Sequence, residues 1–269
     1  MANWGFSIPH SEIRIRQGRH IMSTPTNTPQ SRDTEYWAKP VNKLVTSGIS
    51  AEALNLNVDG KPLTGPIRGF GQLWQKTFRV RLTDKAITPQ TVIADWKQNF
   101  SSFWPRGNTL YVSRAGIVPG ETAVINTKLP GNIPVMATGV RVIYADDESF
   151  AYMTPAGHPF NGMITFSAFD DDGVTAAQVQ LLVRPYDPLY ELGFRLRVLS
   201  KQEDAFWRST LTNLAAHHGV QGRVTQQINL VDPRVHWSEA KNVWQNAGIR
   251  TGLYMMTMPF RWIGRKLRH

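Results

Sequence analysis

The sequence predicts an α+β fold in which a bent antiparallel sheet is roofed by a long helix late in the chain. Three observations predict it. Between Pro134 and Pro185, apolar residues alternate with polar ones as Val140, Val142 and Tyr144, then as Ile164, Phe166 and Ala168, then as Ala177, Val179, Leu181 and Val183. A period of two places each apolar set on one face, the pattern of half-buried antiparallel strands. Turn chemistry separates the runs at Asp146-Asp147-Glu148, Thr154 to Pro159 and Asp170-Asp171-Asp172-Gly173. Finally, Ser200 to Gly219 carries Trp207, Leu211 and Leu214 at helical spacing, with Ser200 and Glu203 spaced as a capping box and Gly219 just past the end. A sheet with one apolar face requires a cover, and burying that row is worth about 1.5–3 kcal/mol per large side chain.

Taken in order, residues 1–35 read as a flexible arm, because Ser23 to Ser31 is polar and punctuated by proline. Met22 is an alternative start. Residues 36–70 form a lead-in dotted with glycine and proline, and Gly69-Phe70-Gly71 signals a close backbone approach. The domain proper is expected over 71–220. It opens with a strand from Leu73 to Leu82 in which Phe78, Val80 and Leu82 oppose Arg79 and Arg81. Thr88-Pro89 is an N-cap with proline in the first helical position, ahead of Val92, Ile93, Trp96 and Phe100 at helical spacing. Short strands follow at Leu110 to Val112 and Thr122 to Asn126, and Leu189 to Leu199 reads as a helical connector after the meander. Residues 221–269 are expected to be a helical, basic extension, with Ala240, Val243, Trp244 and Ala247 on one side of an amphipathic segment.

Composition narrows the chemistry. Cysteine is absent from the 269 residues, which excludes disulfides, thiolate metal sites and cysteine nucleophiles. A net charge of +10 favours anionic partners, but much of the excess lies near the two ends. There is no zinc-finger spacing, basic recognition helix or aromatic RNA-binding strand, so nucleic-acid binding is not expected. No G-x-S-x-G elbow surrounds Ser101, Ser102 or Ser167, and no phosphate-binding glycine pattern is present. Asp170 to Gly173 lacks the alternating ligands of a calcium loop. His217 and His218 are adjacent rather than a turn apart, so they do not face one metal, and neither a metal nor another cofactor is expected. Without a long apolar run or a signal-peptide layout, the expectation is a soluble cytoplasmic protein that could sit at the membrane periphery.

The order of elements, together with Tyr144 to Pro159, Gly162 and the strand Ile164 to Phe169, resembles the helix-grip superfamily, also called START-like or SRPBCC. An aromatic pair followed by a Gly-His-Pro turn, here Phe150 and Tyr152 before Gly157-His158-Pro159, is similar to a motif of uncharacterised bacterial branches. The resemblance covers about Gly71 to Val220. It implies a bent sheet gripping a long helix and, in many members, an apolar ligand held between them.

The expected function is therefore non-catalytic binding or carriage of a hydrophobic small molecule or lipid. Its site would be lined by Val142, Tyr144, Tyr152, Phe166, Val179, Trp207, Thr210, Leu211 and Leu214, with Thr210, Asn213 and His217 as a polar row on the helix. A cyclase-like or hydrolase-like enzyme is an alternative that would need His158, Tyr152 or His217. Another is an accessory subunit docking a protein partner or an anionic membrane. Leu253, Met255, Met256, Phe260 and Trp262 would then insert beside Arg265 and Lys266.

Overall fold

The apolar alternations between Leu73 and Pro185 become strands of one sheet. The computed structural model describes residues 34–83, 87–131 and 133–266, with side chains to residue 258. Its strands are β1 (Leu73–Arg81), β2 (Asn108–Tyr111), β3 (Thr122–Leu129), β4 (Ile133–Ala145), β5 (Ser149–Met153), β6 (Phe160–Asp171), β7 (Val174–Pro185) and β8 (Thr225–Asp232). They form an antiparallel sheet in the order β2-β3-β4-β5-β6-β7-β1-β8. The helices are α1 (Pro89–Asn99), α2 (Pro188–Arg195), α3 (Val198–His217) and α4 (Ala247–Lys266), with a 3₁₀ turn at Phe100–Phe103 and another at Trp237–Gln245.

Local chemistry explains where the helices begin. Thr88 Oγ1 accepts the Thr91 amide at 3.2 Å, and Pro89 opens α1. Asp187 accepts the Leu189 and Tyr190 amides ahead of Pro188, which opens α2. The expected capping box of α3 does not form. Arg197 reverses the chain in the left-handed region at φ 59°, so the helix starts at Val198 and Ser200 lies inside it. Glu203 is instead buried against β1.

The sheet is covered on both faces. On the inner face, Val92, Ile93 and Trp96 of α1, Phe100 and Phe103 of the following turn, and Trp207, Leu211, Leu214 and Ala215 of α3 share one core with Phe78, Val142, Phe150, Phe166 and Val179. On the outer face, Leu44 and Val58 of the lead-in close over Val124 of β3, and α4 lies against β4.

Two sequence expectations need correction here. Beyond Gln221 the chain is not uniformly helical: Thr225–Asp232 pairs with β1 as an edge strand. The amphipathic segment at Ser238 to Ala247 is a 3₁₀ turn with Trp244 in solvent at 82% exposure, and Ala247 opens the next helix.

Candidate functional site

Register across the sheet lines up the candidate residues. One cross-strand row runs Ala145, Phe150, Phe166, Val179, Phe78 through β4, β5, β6, β7 and β1. The next runs Val142, Tyr152, Ile164, Leu181, Lys76. Both rows lie on the inner face, under α1, the Phe100–Phe103 turn and α3, because inward residues recur every second position along each strand. The rings interlock, with Phe150 and Phe166 stacked at 4.6 Å between centroids and Trp207 5.7 Å from Phe166. Phe100 is the hub, at 5.0 Å from Phe166, 5.5 Å from Phe150 and from Trp104, and 5.6 Å from Tyr152.

Polar atoms inside this aromatic cluster are not all paired. Tyr152 is 2% exposed, and its hydroxyl has no hydrogen-bond partner among the described residues. The same is true of the indole N–H groups of Trp96 and Trp104. Burial pushes the Tyr152 phenol well above its usual range, so the group stays a neutral donor. Each such unpaired donor costs about 1–3 kcal/mol in a dry interior. A ligand carrying a carbonyl or other acceptor would satisfy them.

A second polar feature lies at the end of the Tyr152 row. Lys76 Nζ is 2.6 Å from Glu203 Oε2 and 2.8 Å from Asp204 Oδ1, and it stands 5.2 Å from the centre of the Phe194 ring. Burial works against the ammonium, yet the two carboxylates outweigh it and raise its pKa, so it remains charged. Glu203 Oε1 has no partner among the described residues. Sequence reasoning missed this lysine, although the alternation of Phe78, Val80 and Leu82 carried back two residues reaches it.

The structure gathers Val142, Tyr152, Phe166, Val179, Trp207, Leu211 and Leu214 into one core, and Thr210 is buried beside them with its hydroxyl donating to Phe206 O at 2.9 Å. Tyr144 is not among them. A β-bulge between Val142 and Tyr144 puts Ala145 on the inner face, while the Tyr144 ring lies 4.8 Å from Trp37 and its hydroxyl bonds Asp146. The polar row also divides. Asn213 donates to Phe103 O at 2.9 Å, and His217 is exposed with its ring 5.3 Å from Phe103.

His158 sits in the Gly157-His158-Pro159 turn, where its Nδ1 lies 2.9 Å from Phe160 O and 3.1 Å from Phe160 N, so either tautomer bonds the turn's own backbone. Burial pulls its pKa down to about 4, partly opposed by the Phe160 backbone. A neutral ring held by its own turn serves the loop. Among the described residues no hydrogen bond joins His158, Tyr152 and His217 to one another.

In the tail, Leu253 and Met256 of α4 are 58% and 73% exposed, and Met255 is half-buried. The side chains of Phe260, Trp262, Arg265 and Lys266, like the arm before Thr34 and Met22 within it, lie outside the described residues. Among those described, no helix is long and apolar enough to cross a membrane.

No protein-family model and no curated protein matches the chain. Solved structures similar to it include protein Ms6760 from Mycobacterium smegmatis, 14% identical, covering 54% of this chain and 90% of its own with a TM-score of 0.38. Protein NE0264 from Nitrosomonas europaea is 12% identical and covers 53% of this chain and 92% of its own, with a TM-score of 0.39. The di-domain ARO/CYC StfQ from the steffimycin biosynthetic pathway is 12% identical with a TM-score of 0.41, over 55% of this chain and 53% of its own.

Proposed function

We propose that this chain is a helix-grip protein that binds a hydrophobic small molecule without transforming it, in the aromatic cluster between α3 and the inner face of the sheet. The observation that carries the reading is the pair of buried donors without a partner among the described residues, Tyr152 Oη and Trp104 Nε1, on two rings that both pack against Phe100. Binding sites of this kind are apolar chambers with a few convergent polar groups. Here the ligand displaces the Phe100 ring, which sits on a short 3₁₀ turn without a side-chain cap, and places an acceptor between the two donors. A cyclase-like or hydrolase-like role is less well supported, because His158 is occupied by its own turn and His217 faces solvent.

The test is denaturing extraction of protein purified from its native host, followed by mass spectrometry. An apolar, acceptor-bearing compound should be recovered near one per chain. Tyr152→Phe and Trp104→Phe should each retain it several-fold less well. A clean extract, and no retention of any compound after incubation with the host's lipid and aromatic extract, would sink the proposal.

One observation favours a second reading. Trp244, Leu253 and Met256 are large, apolar and exposed on neighbouring stretches of the tail, and the sequence beyond them carries Arg261, Arg265 and Lys266. In that reading the chain is an accessory subunit that docks a protein partner or an anionic membrane through its tail. Co-sedimentation of the full chain and of a Leu253→Asp, Met256→Asp variant with anionic vesicles separates it from the first. Equal behaviour of the two counts against membrane docking.

A further inference from the structure

The inner face does not account for a recess of about 360 Å³ where the end of β1 meets the loop between α3 and β8. Its lining includes Arg79, Arg81 and Arg223, the hydroxyl-bearing Thr83 and Thr225, and Asp171. Three arginines and a single aspartate therefore line it. The outward face of β1 supplies the first two, since Arg79 and Arg81 alternate with buried Phe78 and Val80.

The three arginines are held differently. Gln178 Oε1 accepts from Arg79 Nε and Nη2 at 3.2 and 3.0 Å, and the guanidinium lies 4.9 Å from the centre of the Phe169 ring. Both contacts fix its position without neutralising it. Arg81 is paired with Asp171 at 3.1 Å, and its Nη2 donates to Asp171 O at 2.8 Å. Arg223 has neither a hydrogen-bond nor an ion-pair partner for its side chain among the described residues, and it is exposed at the lip of the recess. Among the described residues, two positive charges thus remain without a carboxylate partner around a concave space, and one of them is held in place by Gln178 and Phe169.

We propose that this recess is a binding site for a phosphate-bearing anion. Guanidinium forks bond paired phosphate oxygens bidentately, as they do those of a carboxylate, whereas chloride offers no such pair. A dianion balances the two free charges, whereas a monocarboxylate would leave one. The volume lies at the low end for small-molecule sites, about 300–1,000 Å³, and suits a phosphorylated metabolite or a lipid headgroup. Because Arg79 and Arg81 are ordered beforehand, the anion has only the Arg223 side chain to immobilise.

The experiment is isothermal titration of the full chain with sodium pyrophosphate at low ionic strength, beside co-sedimentation with phosphatidylcholine vesicles doped with phosphatidic acid. Pyrophosphate should bind saturably, one per chain, and weaken as salt rises. Arg223→Ala should weaken it about tenfold or more. Lys201→Ala, which removes an equal charge from an exposed position on α3, should leave it unchanged. Vesicle binding alone, lost in Arg223→Ala, assigns the phosphate to a lipid headgroup and supports the site. Absence of binding in both arms, or equal losses in the two variants, would overturn it. Arg223 is exposed, so its replacement leaves the core intact.

Discussion

Lys76 Nζ lies 2.6 Å from Glu203 Oε2 inside the contact between β1 and α3, with both side chains almost fully buried. Breaking such a pair strands a charge in a dry interior. Lys76→Met alone should cost about 3–5 kcal/mol, because Glu203 then loses its counter-charge. Pairing it with Glu203→Leu should recover most of that loss, since apolar replacements of buried pairs are often neutral. Urea unfolding of the two variants checks this, and a single substitution costing under about 1 kcal/mol would remove the pair from any role in seating α3.

His158 gives a pH prediction. Burial holds it to about 4 in the folded chain, whereas an unfolded histidine titrates near 6.5. Its folded pKa is depressed, so the stability it contributes is complete above about 6.5 and is lost as pH falls towards 4, where the folded form also takes up the proton. Between pH 7 and pH 5 the fold should lose about 2 kcal/mol to this group. His158→Asn, whose side-chain oxygen can still accept the Phe160 amide, should flatten that part of the profile. An unchanged slope would mean that other groups set it.

Much of the sheet is legible because period-two alternation survives wherever one face is dry and the other wet. β1, β6 and β7 are of this kind, and the Thr88-Pro89 start of α1 is equally plain. β8 is not, because the residues of Thr225–Asp232 are mostly exposed and no apolar set marks a face. The five-residue β5 is too short for a period to stand out between the turns beside it. The bulge that turns Tyr144 outward depends on pairing between β4 and β5, which no single strand encodes. Likewise, Ser200 and Glu203 have the right spacing for a cap, but the αL residue Arg197 starts the helix earlier and Lys76 claims the glutamate. In the site, the sequence named the apolar wall together with Tyr152 and Thr210 but not Lys76, since burial of Lys76 and isolation of the Tyr152 hydroxyl are properties of packing.

Gly157 ties the histidine turn to the tail. Its φ is 94°, and a Cβ there would meet Gln245 O at 2.2 Å. Its carbonyl accepts the Ala247 amide at 3.0 Å, where α4 begins. Gly157→Ala should cost at least about 1–3 kcal/mol for the backbone conformation alone. It should also release the Ala247 amide to fast hydrogen exchange, so native exchange rates at Ala247 in the two proteins provide the readout. Retained protection would show that the contact is dispensable.

Cutting the chain after Val220 is the severest test of how the sheet is held. The cut removes β8 and with it Asp232, which accepts from buried Arg184 at 2.9 Å. It also removes Arg234, whose carbonyl accepts from the same guanidinium at 2.9 Å. An uncompensated buried charge of this kind costs about 3–5 kcal/mol. The cut further removes Thr251, whose hydroxyl oxygen accepts the buried Ala137 amide of β4 at 3.0 Å, and Asn242, which donates to Arg68 O and Tyr186 O. An amide left without a partner adds about 1–3 kcal/mol. Set against a typical domain stability of about 5–15 kcal/mol, these losses predict that the 1–220 fragment does not unfold cooperatively on heating. Thr251→Val in the full chain isolates one contribution and should lower stability by about 1–3 kcal/mol. A fragment with a sharp thermal transition, or a Thr251→Val variant as stable as the parent, would mean that the sheet stands without its last strand and helix.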